Sequence, residues 1–87
     1  MSIDVAKNVI SAAQCRAARS LIGWSQDRLT KASSVSKRTI ARFELGEVTP
    51  YAKTLTAITL SLQKAGIIFI EENGEGLGVR LRKKKSR

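Results

Sequence analysis

The chain has 87 residues, 43% of them hydrophobic, and a formal net charge of +9, which leaves room for one domain around one modest core. One cysteine and no histidine exclude an internal disulfide and leave no cysteine–histidine set for zinc or for nucleophilic catalysis. No apolar run approaches the ~18 residues of a membrane span, and the N-terminus lacks a basic start followed by an apolar stretch, so a soluble cytoplasmic protein is expected.

Residues 1–10 carry weak signals and read as an N-terminal arm. Ser11 is a helix N-cap, and Gln14 three residues on completes a capping box. The first helix should run to Ile22 and stop at Gly23, with Cys15, Ala18 and Ile22 spaced to face a core. Cys15 is accordingly a small core residue. The same start signal then recurs twice. Ser25 caps a second helix, with Trp24 before it placed to meet Leu29. Ser36 caps a third, with Val35 placed to meet Ile40. Only about three residues remain for the turn between these two helices, which is helix-turn-helix spacing.

The third helix should end near Glu44 or Leu45, with Gly46 as the stop. Thr49-Pro50 is expected to open a fourth helix with proline at its first helical position. Leu55, Ile58 and Leu62 form its buried stripe, Leu60 lies off it, and Gly66 closes it. The period then changes. Ile67, Ile68, Phe69 and Ile70 form a short β-favouring run, Asn73-Gly74-Glu75-Gly76 has turn chemistry, and 79–82 alternates apolar with basic. A C-terminal β-hairpin over 67–82 follows, its turn solvated by Glu71 and Glu72. A phosphate-binding loop at 73–78 would need a lysine and a following helix that the chain lacks. A basic tail, 83–87, ends the sequence. Residues 80–87 hold six of the 16 basic residues and none of the seven acidic ones, an imbalance that favours an anionic partner.

On a helical wheel starting from Lys37, Arg38 and Arg42 fall within about 140° of it, while Ile40 and Phe43 point the other way. The third helix therefore presents Lys37, Arg38 and Arg42 outward. Lysine and arginine are the side chains that read guanine O6 and N7, and a helix fits the major groove. These three residues are the expected base contacts. Recognition of single strands or RNA calls for exposed aromatics, and here only Tyr51 is outside a core-like position.

The stretch from Arg16 to Leu62, with its LIGWSQDRL and VSKRTIARFELG segments and the proline before the fourth helix, resembles the Cro/phage-repressor-like helix-turn-helix family, also called xenobiotic-response-element type. About half the chain carries the resemblance. It implies a mainly α fold, a four-to-five-helix repressor-like domain over 11–66 with the short hairpin appended. It also implies phosphate contacts from Gln26, Ser36, Thr49 and Lys53, and a structural ion pair between Arg19 and Glu44. The chain departs from the family pattern twice. Ser34 stands where glycine is usual in a left-handed turn position, at a strain of roughly 1 kcal/mol. Thr30 stands where alanine is usual, so its hydroxyl should bond a nearby carbonyl.

The expected function is sequence-specific binding of double-stranded DNA as a small, nucleoid-associated transcriptional regulator, with no cofactor, no metal and no catalysis. One such helix reads few base pairs, so a homodimer on a two-fold site is expected, with Leu60, Ile67, Ile68, Phe69 and Ile70 as the candidate dimer contact. A short hairpin must pack on something, and its own fourth helix is the other candidate. The alternative is an antitoxin or adaptor that uses the same fold to hold a protein partner such as a toxin.

Overall fold

A computed structural model describes residues 10–83. Four helices, α1 (Ala12–Ile22), α2 (Gln26–Ser33), α3 (Lys37–Glu44) and α4 (Ala52–Lys64), precede an antiparallel hairpin of β1 (Ile67–Ile70) and β2 (Gly78–Leu81). The fold is thus mainly helical with a short C-terminal hairpin. Of the expected arm and basic tail, all but Ile10 and Lys83 lie outside the described residues.

The first three helices begin where serine offers an acceptor to an otherwise unpaired N–H. Ser11 Oγ accepts from Gln14 N–H at 3.0 Å, and Gln14 Oε1 accepts from Ser11 N–H at 2.8 Å, closing the capping box. Ser25 and Ser36 cap α2 and α3 through Arg28 and Thr39 N–H. Gly23 ends α1 with φ +68, the left-handed conformation that glycine adopts without a Cβ clash. Helix α4 differs from expectation. Its first bond runs from Leu55 N–H to Tyr51 O at 3.0 Å, so Tyr51 is the N-cap and contributes no side-chain bond. Pro50 stands just ahead of the cap, where its missing N–H is harmless.

The core joins Ile10, Cys15, Ala18, Leu29, Ile40, Phe43, Leu55, Ile58, Leu62 and Ile67, all buried. Each large member contributes about 1.5–3 kcal/mol by leaving water. The register pairs Ile68 with Arg80 and Phe69 with Val79. Alternation then turns Ile67, Phe69, Val79 and Leu81 to one face and Ile68, Ile70 and Arg80 to the other. Phe69 and Val79 pack against the core. Ile67 is fully buried, which removes it from the expected dimer contact. The short apolar run left its inward face open, and the hairpin register decides it.

Two anchors hold the hairpin. Gln14 Nε2 donates to Gly78 O at 2.9 Å and to Ile70 O at 3.4 Å, and Arg82 N–H donates to Gly66 O at 2.6 Å. β2 begins one residue earlier than expected, and that last bond carries the pairing on to Arg82. Glu72 does more than solvate the turn. Its carboxylate accepts from Gly74 N–H at 2.9 Å and Gly76 N–H at 3.1 Å, so it organises the loop.

Thr30 also departs from expectation. Its Oγ1 is buried and has no hydrogen-bond partner among the described residues. The hydroxyls of Ser33, Thr59 and Ser61 do return to the carbonyl four residues back.

Candidate nucleic-acid interface

Helices α2 and α3 are joined by residues 34–36. Ser34 has φ +63 and ψ 20, and it is the one non-glycine residue with positive φ among the described residues. The strain is roughly 1–2 kcal/mol. It is held by Ser34 N–H donating to Thr30 O at 2.8 Å, and by Ser33 Oγ, which accepts from Val35 N–H at 3.1 Å. Val35 packs on the core, which fixes the angle at which α3 leaves the turn.

Ile40 and Phe43 anchor α3 from below, buried at 0% and 5% exposure. Lys37, Arg38 and Arg42 are all exposed. The three cations are not equivalent. Lys37 Nζ lies 3.3 Å from Asp27 Oδ1, and Arg42 Nε donates to Glu47 Oε1 at 3.3 Å. Arg38 has no ion pair among the described residues.

Glu44 locks the far end of α3. Its carboxylate is 3% exposed and accepts from Arg19 Nη2 at 2.7 Å, Arg19 Nε at 2.8 Å, Gln26 Nε2 at 3.0 Å and Cys15 Sγ at 3.1 Å. Burial works to raise its pKa, but the bonds from Arg19, Gln26 and Cys15, with the Arg19 charge, outweigh it and hold the carboxyl below its usual range. Arg19 also donates to Trp24 O at 2.9 Å, so one guanidinium ties α1, the start of α2 and the end of α3 together. Arg16 adds a bond to the Glu44 carbonyl, one of the orphan acceptors at a helix end.

Gln26, expected at phosphate, is therefore already bonded to Glu44. An amide nitrogen carries two N–H donors, and this bond uses one. Ser36, Thr49 and Lys53 are exposed. Thr49 and Lys53 share no hydrogen bond or ion pair with α3 among the described residues. Sequence reasoning missed Arg16, Asp27 and Glu47. It also missed Arg28, whose guanidinium lies 5.0 Å from the centre of the Trp24 ring; the spacing of four between them was the available signal. That stacking covers one face of Trp24 and leaves Tyr51, 86% exposed, as the free aromatic.

Of the remaining dimer candidates, Phe69 faces inward, Leu60 is 53% exposed, and Ile68 and Ile70 are half-buried on the outer face of the hairpin. Leu77 and Leu81 are also exposed, at 54% and 46%. Burial, then the Glu44 hydrogen bond and charge, push the Cys15 thiol pKa far up, so it is no nucleophile in this setting. Among the described residues no His, Cys, Asp and Glu group could hold a metal ion, and no helix is long and apolar enough to cross a membrane. No family model matches this chain, and no curated protein matches it.

Proposed function

We propose that the chain binds double-stranded DNA by laying α3 in the major groove and that it serves as a small transcriptional regulator of the Cro/phage-repressor-like helix-turn-helix type. The observation that carries this reading is α3 itself. It is pinned on one side by Ile40, Phe43 and the Glu44 cluster, and it shows Lys37, Arg38 and Arg42 on the other. Phosphate contacts and the net charge of +9 would supply affinity that falls with salt. Base contacts from the three cations would supply sequence choice at about 1–3 kcal/mol each. Two copies on a two-fold site would lengthen the sequence read, with Leu60, Ile68 and Ile70 as the apolar surface for that contact. Action on the nucleoid in the cytoplasm follows from the same reading.

The test is fluorescence anisotropy with the duplex upstream of the gene and a shuffled duplex, at two salt concentrations. A preference for the upstream duplex that survives higher salt supports the reading. Arg38→Ala should then weaken the preferred duplex by about five- to 150-fold and the shuffled one far less. Equal losses on both would mean that Arg38 meets only phosphate.

A second reading, an adaptor or antitoxin that holds a protein partner, is favoured by one observation. The hairpin packs on α1 and α4 while α3 packs on α1 and α2, so exposed Leu77 and Leu81 lie on an element separate from the α3 face. A stoichiometric complex lost on Leu81→Ser but kept on Arg38→Ala would select that reading.

A further inference from the structure

We propose that Asp27 and Glu47 act as tethered stand-ins for phosphate, restraining Lys37 and Arg42 so that the α3 face binds DNA of arbitrary sequence weakly. The proposal rests on the DNA-binding reading above.

The pairs themselves are the starting point. Two of the three cations on the face are held at 3.3 Å by a carboxylate from a neighbouring segment, and the third, Arg38, has no such partner among the described residues. All four paired side chains are well exposed, at 58% and 70% for Lys37 and Asp27 and 44% and 53% for Arg42 and Glu47. Exposed pairs of this kind contribute little to folding; Asp27 also gains from the first turn of α2, where a carboxylate is favoured, but Glu47 has no such gain. Glu47 is placed against the local electrostatics as well. It follows the last residue of α3 by three positions, at the end of the helix where the partial charge is negative and a carboxylate is disfavoured. Its backbone is nonetheless held firmly there, with Glu47 N–H donating to Arg42 O at 2.9 Å.

A carboxylate and a phosphate oxygen compete for the same N–H donors. A complex with arbitrary DNA offers these cations phosphate alone. It must displace each carboxylate and then hold that carboxylate beside the anionic backbone. Each acid therefore subtracts from sequence-independent binding. Arg38, unrestrained, is left as the cation ready to meet a base.

The experiment compares Glu47→Gln, Asp27→Asn and the double variant with the parent on a shuffled duplex, across a salt series. Glu75→Gln, on the exposed hairpin turn, removes the same charge away from α3 and serves as the control. Each of the two single variants should bind the shuffled duplex about three- to fivefold tighter, with a salt slope steeper by about one. The melting temperature of Glu47→Gln should stay close to that of the parent, and Asp27→Asn, which removes a carboxylate from the first turn of α2, should lose about 1–8 °C. Glu75→Gln should leave both nearly unchanged. Parent binding with no gain in either variant overturns the proposal alone, as does an equal gain from Glu75→Gln, which would make net charge sufficient. Failure of the parent to bind any duplex at low salt overturns the DNA reading and this one with it.

Discussion

Replacing Glu44 with glutamine tests whether the cluster at the end of α3 holds the helices together. The variant keeps the shape and one acceptor oxygen but removes the charge that faces Arg19 at 2.7 and 2.8 Å. Breaking one side of a buried ion pair costs about 3–5 kcal/mol. Arg19 retains 19% exposure, so water can rescue part of its charge, and the loss should lie nearer ~2–3 kcal/mol. A chain of this length is stable by about 4–13 kcal/mol, and each kcal/mol moves its Tm by about 4–8 °C, so a fall of roughly 8–24 °C is expected. Thermal unfolding followed by circular dichroism at pH 7 measures it. The pH dependence gives a second arm. Glu44 is depressed in the folded state, so its contribution is fully present above the ordinary carboxyl pKa of about 4.3 and is lost as pH falls through the folded value. The gap between parent and Glu44→Gln should be constant from about pH 8 to 5 and close in stronger acid. A loss below about 0.5 kcal/mol at pH 7, or a gap that does not change in acid, would refute the account of the cluster.

Two further substitutions probe the turn between α2 and α3. Ser34→Gly relieves a left-handed residue but loosens the unfolded chain, and the balance should stabilise by about 0.5–1 kcal/mol; a lower urea midpoint would count against strain at Ser34. Thr30→Ala removes a hydroxyl that is buried without a partner and improves helix propensity, for a gain of about 1 kcal/mol. A loss in the same urea titration would show that solvent reaches that oxygen.

What the sequence revealed is what lies within a few residues along the chain. Each serine cap and its N–H partner are three residues apart, so Ser11, Ser25 and Ser36 could be read directly, and so could the helix stop at Gly23; the left-handed position of Ser34 was legible only through the family resemblance. The exposed face of α3 was legible because Ile40 and Phe43 fix which side is buried. The Glu44 cluster was legible only as its pair with Arg19, through the family resemblance. Cys15, Arg16 and Gln26 reach Glu44 from 18 to 29 residues away, and no local pattern encodes that convergence. Asp27 meets Lys37 only because of the angle between α2 and α3, which the turn sets. The run Ile67–Ile70 is apolar at every position, so alternation could not say which residues face inward. Pro50 was a true marker of the start of α4, displaced by two residues because the first helical bond closes on Tyr51 instead.

The bond from Gln14 to Gly78 also sets a clock. Its partners are separated by 64 positions, and a ribosome adding ~5–20 residues per second takes about 3–13 s to cross that distance. In that interval Ser11 and Gln14 are both already made, so the capping box has its two partners within four residues of chain. The other half of the Gln14 amide faces water, the seat of the hairpin on α1 stands open, and the place of Ile67 in the core is vacant. The helices can assemble during synthesis, but the domain closes only when its last strand returns to its first turn.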